Sequence, residues 1–544
     1  MAYSTHFGMR TTPQTRKALG KNQVKNNAGG YVFQVSDWDR LSRFLILGSE
    51  GGTYYVGERK LTIDNANCIL RCLKEDGKRV VDEIVAISDA GRAPKNEPAL
   101  FALAIAAASE DAEVRSYALA SLPKVARIGT HLFQFAQYVS AMRGWGTGLR
   151  KAIARWYNEM DASRLAYQVV KYPQRVTEEG VTQSRWSHRD LMRKAHPFGD
   201  TKHNRVYDYV TKGKLPGRIA ADLKILRAAE QMKAAGSAQE VADLIEKYRA
   251  DKINLPHELI PKEFASKGEV WEVMLPGMPL TALIRSLGRL TSYGVLGTGK
   301  SANRAIVLDK LTDESYLRKS RVHPLSVLVA LKTYSQGGGF RGKLTWQADQ
   351  RIVDALDEAF YASFGNVEAT GKNYFIGIDA SGSMGVACSG IENVSCAEAA
   401  AVLSMVTARV ENNYEITVFD TGIKDAGITP RMRLDQVLKK MSGLTYGGTD
   451  CSLPMTHAMS LQDDFDSFMV LTDSETYYGS IHPFEALKRY RAKRVEDAKL
   501  AVVAMNSNGF SIADPSDPGM LDVVGFDTAT PNVISSFMSG SLTD

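Results

Sequence analysis

A large α-helical array followed by a smaller, doubly wound α/β domain is the fold class that this 544-residue sequence predicts. Two patterns predict it. Through the first two thirds of the chain apolar residues recur at three- and four-residue spacing with little strand-like alternation, and beyond Gly371 short apolar runs alternate with amphipathic stretches. A third pattern, electrostatic, cuts the chain at the same place. From Gly371 onward 13 lysines and arginines stand against 22 aspartates and glutamates, a net of −9, whereas 54 basic and 39 acidic residues precede it, a net of +15. The overall charge of +6 conceals this asymmetry. A chain of this length outgrows a single core, so two domains are expected, at residues 1–370 and 371–544.

In the first part, helical periodicity runs through Pro98 to Glu110, Glu113 to Arg127, Thr130 to Arg143, Leu149 to Glu159 and Ser163 to Tyr172. It resumes at Ala238 to Arg249, Leu280 to Leu290, Pro324 to Tyr334 and Gln347 to Tyr361. Helices of about 10 to 15 residues joined by short turns suggest an α-solenoid of HEAT-like hairpins, which exposes broad curved surfaces suited to binding. In the second part, strands at Tyr374 to Asp379, Tyr414 to Phe419, Ser467 to Thr472 and Leu500 to Met505 alternate with helices at Ala397 to Val410, Leu434 to Met441 and Pro483 to Lys493. Such alternation implies right-handed crossovers and a mostly parallel sheet, with ligands expected beyond the carboxyl ends of its strands.

Composition excludes several classes. Hydrophobic content of 44% and charged content of 24% are ordinary globular values and argue against a mostly disordered chain. Residues 1–10 are polar, without the apolar core of a signal peptide, and the longest apolar runs fall short of the roughly 20 residues needed to cross a bilayer. No membrane association and a cytoplasmic location are expected. Cys68, Cys72, Cys388, Cys396 and Cys451 form no CxxC pair, which fits reduced thiols and argues against zinc. The basic part invites a polyanion such as nucleic acid; the alternative is a lysine-rich solvated surface.

At the strand ends of the acidic part the informative residues are oxygen donors. Asp379, Ser381 and Ser383 stand in Asp-Ala-Ser-Gly-Ser directly after the first strand, Thr449 in Gly-Gly-Thr-Asp before a helix, and Asp473 after the strand ending at Thr472. Hard cations such as Mg²⁺ take oxygen ligands and retain some waters, so this set would leave a position for an outside acidic group. The order DxSxS, GGTD, TD resembles the metal-ion-dependent adhesion site of von Willebrand A-type domains. The alternative is that Ser381 and Ser383 merely cap the following turn. Enzymatic readings lack their chemistry: no GxSxG surrounds either serine, no GxGxxG follows the first strand of this part, and Asp379 and Asp473 are too few for a two-metal nuclease. Gly294 to Ser301 matches the phosphate-loop spacing GxxxxGKS, with Lys300 as its lysine, but it follows a helical stretch where a strand is required.

Several segments together resemble one known family over nearly the whole chain. They are Leu149–Asn158 (LRKAIARWYN), Trp186–Leu191 (WSHRDL), Met278–Leu283 (MPLTAL), Arg341–Trp346 (RGKLTW), Gly447–Met455 (GGTDCSLPM), Ser507–Pro515 (SNGFSIADP), Gly519–Asp522 and Gly525–Asp527. The chain is similar in these to the Ro autoantigen family, a TROVE module joined to a von Willebrand factor A-like domain. That resemblance implies a helical-repeat ring whose ends meet on the A-like domain, and a monomer. It also implies that small noncoding Y RNAs bind the outer basic surface, while single-stranded ends of misfolded or structured RNAs enter a central hole. RNA quality control, processing or decay would be the role, with an exoribonuclease or another protein as a further partner. The Y RNA determinants map onto Lys171, Arg175 and His196, and Arg185, Arg189, Arg193 and Lys194 thicken the patch. Residues 176–185 form a longer link than the family's usual one. Trp186 and His188 are expected to pack or cap a helix. A protein-recruiting adaptor that grips a partner's carboxylate through Mg²⁺ is the alternative function, and catalysis is not expected.

Overall fold

The computed structural model describes residues 11–541 apart from 173–185, 214, 216–222, 298, 340–342, 366, 390, 442, 444–446 and 528. Helices follow one another from Asp37–Leu47 to Gln350–Ala362. The predicted stretches appear with ends shifted by a few residues, and local side chains set those ends. Asp111 accepts from the amides of Glu113 and Val114, starting Ala112–Val125, and Asp161 does the same for Ala162–Lys171. Glu97–Ala107 is apolar apart from Glu97 and is buried around most of its circumference. That suits a helix enclosed on all sides.

One long helix, Glu58–Ala90, escaped the periodicity. It breaks at Asp76, whose φ of −152° and ψ of 94° are non-helical and whose carboxylate then accepts the Arg79 amide at 2.9 Å, restarting the helix as a new cap. Gly77 follows because the next layer arrives there: a Cβ would stand 2.3 Å from Val114 Cγ2.

Packing runs from Glu58–Ala90 through Ala112–Val125, Thr147–Glu159 and His188–Ala195, then by Thr201–Lys212 and Ala162–Lys171 to Lys224–Ala234 and Ala238–Ala250. From Gly268–Met274 it passes through the 3-10 turn Leu275–Gly277 to Ser301–Thr312, Gln350–Ala362 and Pro324–Ser335. The array then returns to its start. The Arg321 guanidinium donates to the Asp89 carbonyl at 3.1 Å, and buried His323 reaches the Arg92 carbonyl at 3.1 Å through Nε2. Burial depresses the His323 pKa to about 4, so the ring is neutral. It accepts the Leu325 amide at Nδ1 and donates from Nε2, a tautomer that satisfies both neighbours.

The strands in chain order are β1 (Gln23–Lys25), β2 (Tyr31–Gln34), β3 (Asn373–Asp379), β4 (Ala387–Cys388), β5 (Ile391–Ser395), β6 (Asn413–Phe419), β7 (Ile423–Asp425), β8 (Ser467–Thr472), β9 (Lys499–Ala504), β10 (Phe510–Ser511) and β11 (Met520–Val524). The main sheet has the order β11-β9-β8-β3-β6-β7, all parallel except the edge strand β7. The chain builds from β3 toward β6 on one side and toward β8 on the other, so strand order reverses at β3. A doubly wound sheet opens a crevice at that point.

Two strands in the chain's first forty residues were not expected. β1 pairs with β2, and β2 pairs antiparallel with β10 of the α/β domain, Phe33 opposite Ser511. The first helix, Asp37–Leu47, lies against β11. Here Arg43, 1% exposed, donates from Nη2 to Asp522 Oδ1 at 2.6 Å and from Nη1 to the Phe510 carbonyl at 2.8 Å. Removing one partner of a buried ion pair strands the other charge and typically costs about 3–5 kcal/mol. Arg43→Met is therefore expected to lower stability in denaturant titrations by about that much. Arg43→Met combined with Asp522→Leu should recover part of the loss, and a double variant as unstable as the single one would deny the charge-pair account.

Candidate cation centre and nucleic-acid interface

Asp379 closes β3 and is fully buried. Its Oδ1 accepts the Ser381 amide at 2.9 Å, which folds the loop back and puts the Ser381 and Ser383 hydroxyls 3.1 Å apart. Its Oδ2 accepts the Thr472 hydroxyl at 2.6 Å, tying β3 to β8 one residue before Asp473. The third loop joins through the Gly382 amide, which donates to the Gly447 carbonyl at 3.1 Å, while the Thr449 carbonyl accepts from the amides of Tyr477 and Tyr478. All five predicted residues, Asp379, Ser381, Ser383, Thr449 and Asp473, thus lie buried on adjoining loops at the strand reversal.

The donor set suits a hard cation. Thr449 Oγ1 and Asp473 Oδ2 are buried without any hydrogen-bond partner, an arrangement that costs free energy unless something binds there. Among the described residues no group of three or more His, Cys, Asp and Glu gathers to hold a metal. Two carboxylates and three hydroxyls gather here instead, fewer charges than a full calcium cage would supply. Burial raises the Asp379 pKa to about 6, against the hydrogen bonds from Ser381 and Thr472 that favour its charged form. Burial first, and then the charges of Asp379 and Glu475, push Asp473 well above the usual carboxylate range.

Sequence reasoning missed the residues that brace these loops. Fully buried Gln14 donates to Asp450 Oδ1 at 2.7 Å and accepts the Thr476 hydroxyl. Glu475 takes the Asn27 amide at 2.9 Å, the Asn27 side chain at 2.6 Å and the Ala28 amide at 3.2 Å. Asn508 donates to the Asp473 carbonyl at 2.7 Å and also accepts from Arg43. Tyr54, from the loop before Glu58–Ala90, lies over Gly382, its ring 3.9 Å from where a Cβ would stand. Long-range partners of this kind leave no local signal in sequence.

The predicted RNA determinants fall on two helices. Lys171 ends Ala162–Lys171, its ammonium 5.8 Å from the Tyr167 ring and 5.4 Å from that of Tyr172. Arg175, Arg185 and the link 176–185 lie outside the described residues. His188–Ala195 starts with a capping box between Ser187 and Asp190 and buries His188, Leu191, Met192 and Ala195. That leaves Arg189 and Arg193 exposed one turn apart, with exposed His196 continuing the stripe. Tyr172 and Arg189 line one depression of about 630 Å³, which brings the end of the first helix beside the second. His188 is structural: it bonds the Tyr157 hydroxyl at 3.0 Å, and burial holds its pKa at about 3. Trp186 packs against Trp145 at 5.3 Å.

The phosphate-loop spacing has no phosphate-loop geometry. It follows the helix Leu280–Ser292, and Lys300 pairs with Glu272 at 2.7 Å; Thr298 lies outside the described residues. No helix among the described residues is long and apolar enough to cross a membrane.

A closed helical array carrying a cationic stripe, joined to an A-type sheet with an oxygen-lined crevice, defines a two-module binding protein rather than a single-site globule. The TROVE domain family matches residues 24–333 and the Ro60 vWA domain family residues 373–538. RNA-binding protein RO60 of Deinococcus radiodurans is 38% identical over 533 residues, covering 97% of this chain and 98% of that protein. RNA-binding protein RO60 of Caenorhabditis elegans is 35% identical over 608 residues, covering 98% and 93%. The crystal structure of the Deinococcus radiodurans RO (RSR) protein superposes with a TM-score of 0.69 at 37% identity, covering 93% of this chain and all of that one. The chain belongs to the Ro60 family.

Between 3.8, the ordinary value of an aspartate, and about 6, Asp379 binds more protons in the folded than in the unfolded protein. Its contribution to stability without a cation therefore falls as pH rises through that window. Melting temperatures of chelator-treated protein are expected to decline between those pH values, and Asp379→Asn to flatten that part of the profile. An unchanged profile in the variant would assign the titration to another group.

Proposed function

We propose that the chain binds small structured noncoding RNA of the Y type on the outer surface around Lys171, Arg189, Arg193 and His196, with Arg175 and Arg185, which lie outside the described residues, as further phosphate contacts. The observation that carries this reading is the helix His188–Ala195, whose outer face offers Arg189 and Arg193 with no carboxylate partner among the described residues. Two support it: the excess of +15 before Gly371, and the names of two relatives, each called an RNA-binding protein. Single-stranded ends of misfolded RNAs would enter the centre of the ring, giving a cytoplasmic role in RNA quality control by binding rather than catalysis. An exoribonuclease would be recruited by the bound RNA.

A divalent cation, Mg²⁺ by its preference for oxygen donors, would be held by Asp379, Ser381, Ser383, Thr449 and Asp473. There it would supply a Lewis-acid position for an acidic group. The unpartnered Thr449 and Asp473 oxygens favour a second reading, in which that position grips a partner protein's carboxylate.

Filter binding of a Y-like RNA across a salt series tests the first reading. Replacing Lys171, Arg189 and Arg193 together by Ala should weaken binding and reduce the slope of log affinity against log salt by up to about 0.7–0.9 per lost phosphate contact. An unchanged slope would move the RNA elsewhere. For the second site, calorimetric titration of Asp379→Ala with Mg²⁺ should show no binding while RNA affinity stays within about twofold of the parent, because counterion release at the distant stripe is untouched. A variant that still bound Mg²⁺ would refute the assigned ligands.

A further inference from the structure

The corner after the cationic helix, Ala195 to Asp200, projects an aromatic ring where a globular protein ordinarily hides one. Phe198 is 81% exposed, more than any other aromatic among the described residues. It is not a loose tip. The His196 amide closes the helix on the Met192 carbonyl at 2.9 Å, and Pro197 fixes the next turn. The Gly199 amide and carbonyl are clamped by the Asn204 side chain at 3.2 and 2.8 Å. Asp200 caps Thr201–Lys212, and His203 ties that cap to the Met160 carbonyl at 2.8 Å. A backbone held this firmly fixes where the ring stands, so binding has only the ring's own rotation left to restrict.

The surroundings select the partner. Arg193 and Lys194 occupy the last turn before the corner, and His196 stands two residues before Phe198. Nearby acids are committed elsewhere: Asp190 to the capping box, Asp200 to His203 at 2.9 Å, and Asp208 to Lys212 at 2.8 Å. Lys194 lies over two indoles, 5.1 Å from the Trp145 ring and 5.6 Å from that of Trp186, which holds its charge beside the corner. Cations interleaved with a bare aromatic face match a polyanion bearing flat apolar groups, namely a nucleic acid strand with an unstacked base. A paired duplex offers phosphates to Arg193 and Lys194 but no free base face to Phe198.

We propose that Phe198 is a stacking platform for one unpaired RNA base, whose flanking phosphates are gripped by Arg193 and Lys194. The corner then reads a bulged or looped nucleotide, which makes the RNA surface selective for RNA with an unpaired element over plain duplex. This rests on the RNA-binding reading and adds a recognition step to it.

Full-length protein is titrated with a set of short hairpins, each carrying 2-aminopurine at one unpaired position, and with a blunt duplex of the same length. Phe198→Ala should weaken hairpin binding by about tenfold or more, while leaving duplex binding and the salt slope unchanged, since no charge is lost. At one unpaired position the parent should quench the 2-aminopurine emission and the variant should not. Phe198→Trp should restore both. The ring is exposed, so the melting temperature of Phe198→Ala checks that the fold is intact. Equal loss on hairpin and duplex would overturn the stacking role, and no loss on either would assign the ring to a protein contact. A parent protein that bound neither RNA would refute the RNA-binding reading itself.

Discussion

One guanidinium, that of Arg43, binds three parts of this molecule into one. It belongs to the first helix of the array, pairs with Asp522 on β11, and donates to Asn508 and to the Phe510 carbonyl on the way. Asn508 in turn holds the Asp473 carbonyl. The beginning of the helical array is thereby placed on the far edge of the sheet and linked to the crevice at the sheet's centre. Ring closure depends on the same placement, because the turn at Asp89 and Arg92 must reach Arg321 and His323. A charge so deeply buried contributes little net stability in general, but it is intolerant of alternatives, since any displaced register would leave an uncompensated ion in the core.

What the sequence revealed and what it hid divide by range. Helices such as Leu280–Ser292 and Pro324–Ser335 bury one stripe or nearly all of their surface, and apolar spacing alone located them within a residue or two. The loop of Asp379, Ser381 and Ser383 was equally legible, because a strand end, a tight turn and oxygen donors all lie within one short segment. β1 and β2 were not: at three and four residues they are too short to show alternation, and their third strand lies at the other end of the chain. Glu58–Ala90 was hidden by its charged surface and by the interruption at Asp76 and Gly77, a propensity penalty that packing against Val114 overrides. Gln14, Asn27 and Asn508 support the crevice across the fold; nothing near Gln14 or Asn27 marks them, and the segment Ser507–Pro515 carries the family resemblance without showing that Asn508 reaches the Asp473 carbonyl. Of the proposed RNA determinants, Lys171, Arg175 and His196 were placed by the family resemblance and Arg189 and Arg193 by their charge beside them, whereas the exposure of Phe198 is a property of the corner's geometry and not of its composition.

The two candidate surfaces work by opposite physics. At the crevice, charge is buried and scarce, and the fold leaves two oxygens without partners, so a cation held there would be bound through those oxygens. Along His188–Ala195 charge is exposed and plentiful, and RNA bound there would draw on displaced counterions. The first would then respond to divalent ions and to acid, the second to monovalent salt. Tyr54 spans the distinction structurally: it comes from the helical part yet lies over the serine loop, so the crevice is walled by both modules.

The pairing of β2 with β10 has a meaning in time as well as in space. A ribosome releases the first forty residues at the outset and Phe510 and Ser511 only near the end, on the order of a minute later at ordinary elongation rates. Throughout that interval the edge of β2 that will accept β10 has no mate in the nascent chain, and Arg43 has no counterion. Unpaired strand edges are templates for misassembly. The brevity of β1 and β2 is then a safeguard: a three- or four-residue ribbon is too short to recruit a foreign strand stably, and it sets only when its own C-terminal partner emerges.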